Sequence, residues 1–224
     1  MINLRNYEGF ALMKGDDSPE ANALSIFCTV NEVSLFRIDK ESLCPSKYIP
    51  VGSVEWCLQN LNKKVIPDYY PEWLSTHLHR NVWKTDKWPL EQVFIKPADR
   101  YKRFNGFITA KNRKKKRVPY KAPYWCSDVV KFTNEWRYYV SEGKILCSGW
   151  YLGDEVNTPD APKLNIEIPK GFYGAIDLGT LDDADETLAL VEVHHPVACG
   201  IYTKDTRSFA QWLCDGWSYM REVM

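Results

Sequence analysis

The 224-residue sequence predicts an α+β fold, a small α/β unit followed by antiparallel strands and a closing helix. Three observations carry that expectation. Short apolar runs broken by turn residues fill the first ninety positions, a hairpin signal surrounds Ser141-Glu142-Gly143, and the last segment repeats large apolar residues at helical spacing.

In chain order, Leu24 to Phe27 and Val33 to Ile38 are apolar runs set among Pro45, Pro50, Pro67, Pro71 and Pro89. Ser53 is placed to cap a helix in which Val54, Leu58 and Leu61 share one face. The proline-rich stretch from Pro67 to Pro89 marks a boundary. Val93-Phe94-Ile95-Lys96 and Asp128 to Phe132 read as short strands. Glu135 to Val140 and Lys144 to Tyr151 read as a hairpin with a three-residue connection, whose Gly143 can take positive φ. Period-2 alternation then places Glu135, Arg137 and Tyr139 on one face. Tyr173 to Leu178 and Leu188 to His194 are expected to pair around the acidic loop Asp182 to Glu186. Phe209, Trp212, Leu213, Trp217 and Met220 form the core stripe of a last helix capped by Asp205 or Thr206.

Composition narrows the class. Hydrophobic residues make up 45%, charged residues 26% and aromatics 14%, and no apolar run nears the roughly 20 residues of a membrane span. The first residues lack a secretory pattern, so a cytoplasmic protein is expected. Seven cysteines without a CxxC pair fit neither a disulfide framework nor a zinc finger, and are expected to be reduced. The net charge of zero hides an asymmetry: fourteen Lys or Arg against three acids between Arg80 and Lys121, and ten acids against two lysines between Gly153 and His194. Cations that hold phosphates and carboxylates that hold a bridging metal would separate in this way; so would two solvated surfaces. The segment Lys111 to Lys121 is charged enough to be expected as a mobile loop. It is also the only support for nucleic-acid binding.

The sequence holds no GxxxxGK[ST], GxGxxG, GxSxG or HExxH signature. His77 and His79 read as surface residues. Lys96 closes an apolar strand, so its ammonium must meet a cleft or solvent, and Lys102 follows six residues later; such a pair can clamp separate phosphates. Strand alternation turns Glu192 and His194 to one side. If the preceding strand pairs with Asp177 opposite Glu192, three metal-capable groups converge, and such carboxylates suit magnesium.

The ordered series Phe94-Ile95-Lys96-Pro97, Lys102-Arg103-Phe104-Asn105-Gly106, Glu135-Trp136-Arg137-Tyr138-Tyr139-Val140, Ile176-Asp177-Leu178-Gly179 and Val191-Glu192-Val193 resembles the ATP-grasp superfamily. Within it, the series is similar to the small clade common in bacteriophages and bacteria and marked by one arginine and two lysines. Ile49 to Glu55 resembles the segment preceding its ATP-binding lobes, and the likeness runs from about Tyr48 to Phe209. The resemblance implies two α/β lobes sandwiching ATP, preceded by a reduced N-terminal α/β domain, with boundaries at 1–88, 89–151 and 152–224. It also implies an ATP-dependent carboxylate–amine ligase working through an acyl phosphate, with a peptide or protein among the candidate substrates. Lys96 would contact the α- and β-phosphates, Lys102 would support the phosphates or the lid, Asp128, Val129 and Val130 would lie along the adenine, and Arg137 would face the γ- or acyl phosphate. Asp177 and Glu192 would hold Mg2+, with His194 where the family has asparagine. The rival readings are a nucleotide-binding module without catalysis and an enzyme that modifies nucleic acid.

Overall fold

The computed structural model describes residues 2–110, 120–153 and 158–223. The expected mobile loop and nucleic-acid segment, Lys111 to Lys121, lies mostly outside them.

The N-terminal unit interleaves strands β1 (Gly9–Met13), β2 (Ser34–Ile38) and β3 (Tyr48–Val51) with helices α1 (Pro19–Val30) and α2 (Val54–Leu61). Its sheet runs β2-β1-β3, all parallel. Both helices start where a serine can satisfy an orphan amide: Ser18 Oγ accepts from Ala21 N–H, and Ser53 Oγ accepts from Trp56 N–H. The expected cap and helix at Ser53 are therefore present. The run Leu24 to Phe27 lies inside α1, where Leu24 and Phe27 supply buried contacts.

A second, antiparallel sheet follows in the order β4-β7-β5-β6, from β4 (Val82–Thr85), β5 (Phe94–Pro97), β6 (Phe107–Ile108) and β7 (Tyr124–Ser127). The third sheet, also antiparallel, runs β11-β10-β8-β9, from β8 (Phe132–Ser141), β9 (Lys144–Leu152), β10 (Gly174–Leu181) and β11 (Leu188–His194). Strand pairing thus joins residues 82–85 to the middle of the chain and the hairpin β8–β9 to its last third. The reason is burial: Trp136, Tyr138 and Val140 share one cluster with Ile176, Leu178 and Leu190.

Three local expectations are corrected. Asp128 to Lys131 is the connection between β7 and β8 and not a strand, because its backbone turns from the second sheet to the third. The hairpin connection has two residues, since Ser141 pairs with Lys144; Glu142 (φ 51°) and Gly143 (φ 71°) are both left-handed, as a twist-matched hairpin turn requires. In β11 a bulge breaks the alternation: Asp177 pairs with Glu192 but Leu178 with Leu190, leaving Val191 as the extra residue. Leu190 and Val193 therefore both enter the core, and Val191 does not join them.

Helix α3 (Thr206–Glu222) is capped by Asp205, which accepts from Ser208 N–H at 3.0 Å. Its stripe packs into one cluster with Phe10, Leu12, Leu24 and Ile49 of the N-terminal unit and Tyr139 of β8. Trp212, fully buried, also donates from Nε1 to the carbonyl of Gly174 at 2.9 Å. All seven cysteines are free, and six are buried. No helix among the described residues is long and apolar enough to cross a membrane.

Candidate active site

The face of the third sheet that covers α3 through Tyr139 changes character further along. Glu135 and Arg137 follow on β8, Asp177 on β10, and Glu192 and His194 on β11. The register sets Asp177 beside Arg137 on one side and Glu192 on the other. Arg137 donates to both oxygens of Asp177, Nε to Oδ1 at 2.7 Å and Nη2 to Oδ2 at 2.6 Å, a buried two-pronged pair. Lys96, third residue of β5 and 8% exposed, reaches across from the second sheet to ion-pair with Glu192. His194 Nε2 stands 3.3 Å from Asp177 Oδ2 and 3.3 Å from Glu192 Oε1.

Charge compensation decides the protonation states. Burial alone would raise the carboxyl pKa values, but Lys96 and then His194 hold Glu192 well below the usual carboxylate range, and Arg137 holds Asp177 down. Burial alone would lower the His194 pKa; Glu192 and Asp177 outweigh it, and the imidazole lies above its ordinary value. Burial also raises Glu135, whose carboxylate accepts from the Tyr151 hydroxyl.

Two cavities meet at this cluster. The larger, about 380 Å³, is lined by Lys96, Lys102, Asn105, Arg137, Glu192 and His194, with Tyr69 and Tyr202 closing it. The smaller, about 280 Å³, is lined by Phe94, Asp128, Val129, Val130, Phe132 and Val191. Lys96 and Glu192 belong to both walls. The Asp128 carboxylate is engaged outside that cavity's needs: Oδ2 accepts from Asn81 N–H at 3.0 Å and from its Nδ2 at 2.8 Å, while Asp128 N–H returns a bond to the Asn81 carbonyl. Among the described residues, Val129 and Val130 make no backbone-to-backbone hydrogen bond, so their main chain is free to meet a ligand. Lys102 is exposed and left-handed (φ 54°) at the rim of the larger cavity. His77 and His79 stand apart from the cluster.

The structure adds residues that the spacing did not single out. Tyr69 lies 4.0 Å from Lys96 Nζ, and Tyr151 and Tyr202 lie 5.4 and 5.2 Å from the Arg137 guanidinium. Arg80 donates to the carbonyls of Leu190 and Val191, pinning the bulge. One signal for Tyr202 existed: Gly149 stands opposite Arg137 in the hairpin, and a glycine there leaves room for another backbone to approach.

A cation would meet two carboxylates and an imidazole whose ligand atoms lie within 4.8 Å of one another. Carboxylate oxygens fit a hard divalent ion, and the imidazole is the softer third donor. Residues 73–212, more than half of the sequence, match a family model described as an ATP-grasp domain, the second family of its clade. The chain belongs to the ATP-grasp superfamily. Its α+β architecture is the ATP-grasp fold. No curated protein matches the sequence. Among solved structures, the chain is similar to the ATP-grasp ligase PsnB complexed with minimal precursor, at 11% identity and TM-score 0.47, covering 96% of this chain and 99% of that one. The D-alanine–D-alanine ligase from Bacillus anthracis complexed with ATP gives 12% identity, TM-score 0.43, and coverage of 96% and 99%. The macrocyclase MdnC, bound with precursor peptide MdnA from Microcystis aeruginosa MRC, gives 10% identity, TM-score 0.42, and coverage of 92% and 98%.

Proposed function

We propose that this ATP-grasp protein joins a carboxylate to an amine through an acyl phosphate. One observation carries the reading: Lys96 and Glu192, from different sheets, pair in the wall shared by a nucleobase-sized cavity and a larger cationic one. A nucleotide laid from one cavity to the other passes its phosphates over that wall.

In this reading the backbone of Asp128, Val129 and Val130 edges the adenine, and Phe94 and Val191 flank it. Lys96 turns from Glu192 to the α- and β-phosphates, and Lys102 supports the γ-phosphate from the rim. Asp177, Glu192 and His194 hold Mg2+, which supplies charge neutralisation for the phosphate oxygens. Arg137, steadied by Asp177 and by the rings of Tyr151 and Tyr202, faces the transferring group. The substrate carboxylate oxygen attacks the γ-phosphorus and the bond to the β-bridging oxygen breaks, releasing ADP. An unprotonated amine nitrogen then attacks the acyl carbon, phosphate leaves, and the nitrogen's proton passes to phosphate or solvent. No protein nucleophile is needed. The chain segments 1–88, 89–151 and 152–224 supply the N-terminal domain and the two lobes, and the hairpin β8–β9, almost wholly in the second segment, pairs with β10 of the third.

The test is mass spectrometry of peptides, amino acids and amines incubated with protein, ATP and Mg2+. The expected product carries one new amide bond per ADP released. ATP binding without any acceptor-dependent ADP would instead favour the rival reading, a nucleotide-binding module, to which His194 in place of asparagine points.

A further inference from the structure

A third cavity, about 170 Å³, lies beside the larger one and shares Tyr101, His194 and His195 with it. We propose that it takes a primary alkylammonium group, the resting form of the acceptor amine. The proposal rests on the ligase reading above and adds the class of amine.

Its walls are mostly aromatic. Trp73 and Phe172 have ring centroids 5.2 Å apart, and Tyr173 and Tyr219 stack at 4.6 Å. All four are only half-buried, whereas the aromatics of the main core, such as Trp212, Phe209 and Tyr139, are fully buried. The rings meet in pairs, and the faces not used in those contacts are left to the cavity they line. Such faces carry partial negative charge and attract an ammonium, while their breadth accepts an alkyl chain.

The charge agrees. Asp68 is exposed at this cavity, and no lysine or arginine lines it among the described residues. The main chain beside Asp68 is anchored, since the carbonyl of Tyr69 accepts the Val193 N–H of β11 at 2.9 Å. The neighbouring cavity has the opposite lining, with Lys96, Lys102 and Arg137. Lys96, Lys102 and Arg137 favour phosphates and carboxylate in the larger space, while the smaller one, without lysine or arginine among its described lining residues, favours the ammonium. The smaller space holds a group of side-chain size, so the amine is that of a lysine-like side chain or a short alkylamine.

The test needs no nucleotide. In full-length protein, the indole N–H signal of Trp73, assigned with Trp73→Phe, is followed by NMR during titration with n-butylammonium, 1-butanol and butyrate. Butylammonium should give a saturable shift, butanol one at least about tenfold weaker and butyrate none, and Asp68→Asn should weaken butylammonium about tenfold. Equal response to butanol and butylammonium, no effect of Asp68→Asn, or no shift overturns the proposal. A shift at Trp73 in a protein that forms no amide supports the cavity and defeats the ligase reading; amide formation from alkylamines without that shift does the reverse.

Discussion

At the scale of single residues, the site is a set of charges held by one another. Lys96 and Glu192 have side chains 10% and 20% exposed, so removing one leaves the other largely buried and unpaired, at a cost of about 3 kcal/mol. Lys96→Met should therefore cut ADP release at least about a hundredfold and lower the melting temperature. The double variant Lys96→Met with Glu192→Gln should recover most of the stability and none of the turnover. Thermal melts beside an ADP assay check both; normal turnover in either variant overturns the assignment. For His194, whose pKa lies above the ordinary 6.5, the contribution to stability is complete below pH 6.5 and is lost as pH rises through the raised value. His194→Asn should remove that loss. With an amide oxygen for the metal, it should also keep or increase turnover in Mg2+. Melts between pH 6 and 9 and rates in Mg2+ are the measurements, and a collapse of Mg2+-dependent rate would sink the metal-ligand role.

At the scale of elements, α1 carries a strained charge. Glu20 is 6% exposed, Oε1 has no hydrogen-bond partner, and burial followed by the nearby Asp16 pushes its pKa up to about 7 from 4.5. A raised acid pKa favours the protonated folded state, so stability falls as pH climbs from 4.5 through 7, by about 3 kcal/mol in all. Glu20→Gln should match wild type near pH 4 and melt higher at pH 8. On β9, a Cβ on Gly149 would stand 2.2 Å from the Tyr202 carbonyl, so Gly149→Ala must push that segment away from Arg137. The expected result is a loss of about 1–3 kcal/mol in stability together with slower ADP release. These elements also show how far sequence reaches. Strand alternation put Glu192 and His194 on one side and helical spacing gave the α3 stripe, but the pairing of Asp177 with Glu192 stood as a condition on a register that only the structure supplies. The bulge did not, because Val191 is as apolar as its neighbours and nothing local marks it as the extra residue. Tyr69, Tyr151 and Tyr202 were hidden for a similar reason: a tyrosine's role is set by the charge it lands beside.

At the scale of the whole molecule, the two main cavities communicate through one ion pair, so metal and nucleotide should bind together. Without Mg2+, Glu192 keeps Lys96 and the carboxylates repel phosphate. Affinity for a non-hydrolysable ATP analogue, measured by calorimetry, should drop at least about tenfold when EDTA replaces Mg2+; unchanged affinity would mean that the carboxylates hold no ion. The α3 helix has a wider consequence. Because it buries one stripe against both the N-terminal unit and the third sheet, those two parts cannot separate without exposing Trp212 and Phe209. The second sheet is attached differently. The chain enters it after Asn81 and leaves it at Asp128, and these two residues are cross-bonded by three hydrogen bonds. A rocking of Lys96 toward or away from Glu192 would slide Ala98 and Trp125 across the core they share with the third sheet and turn about that knot, a hinge whose latch is the ion pair itself.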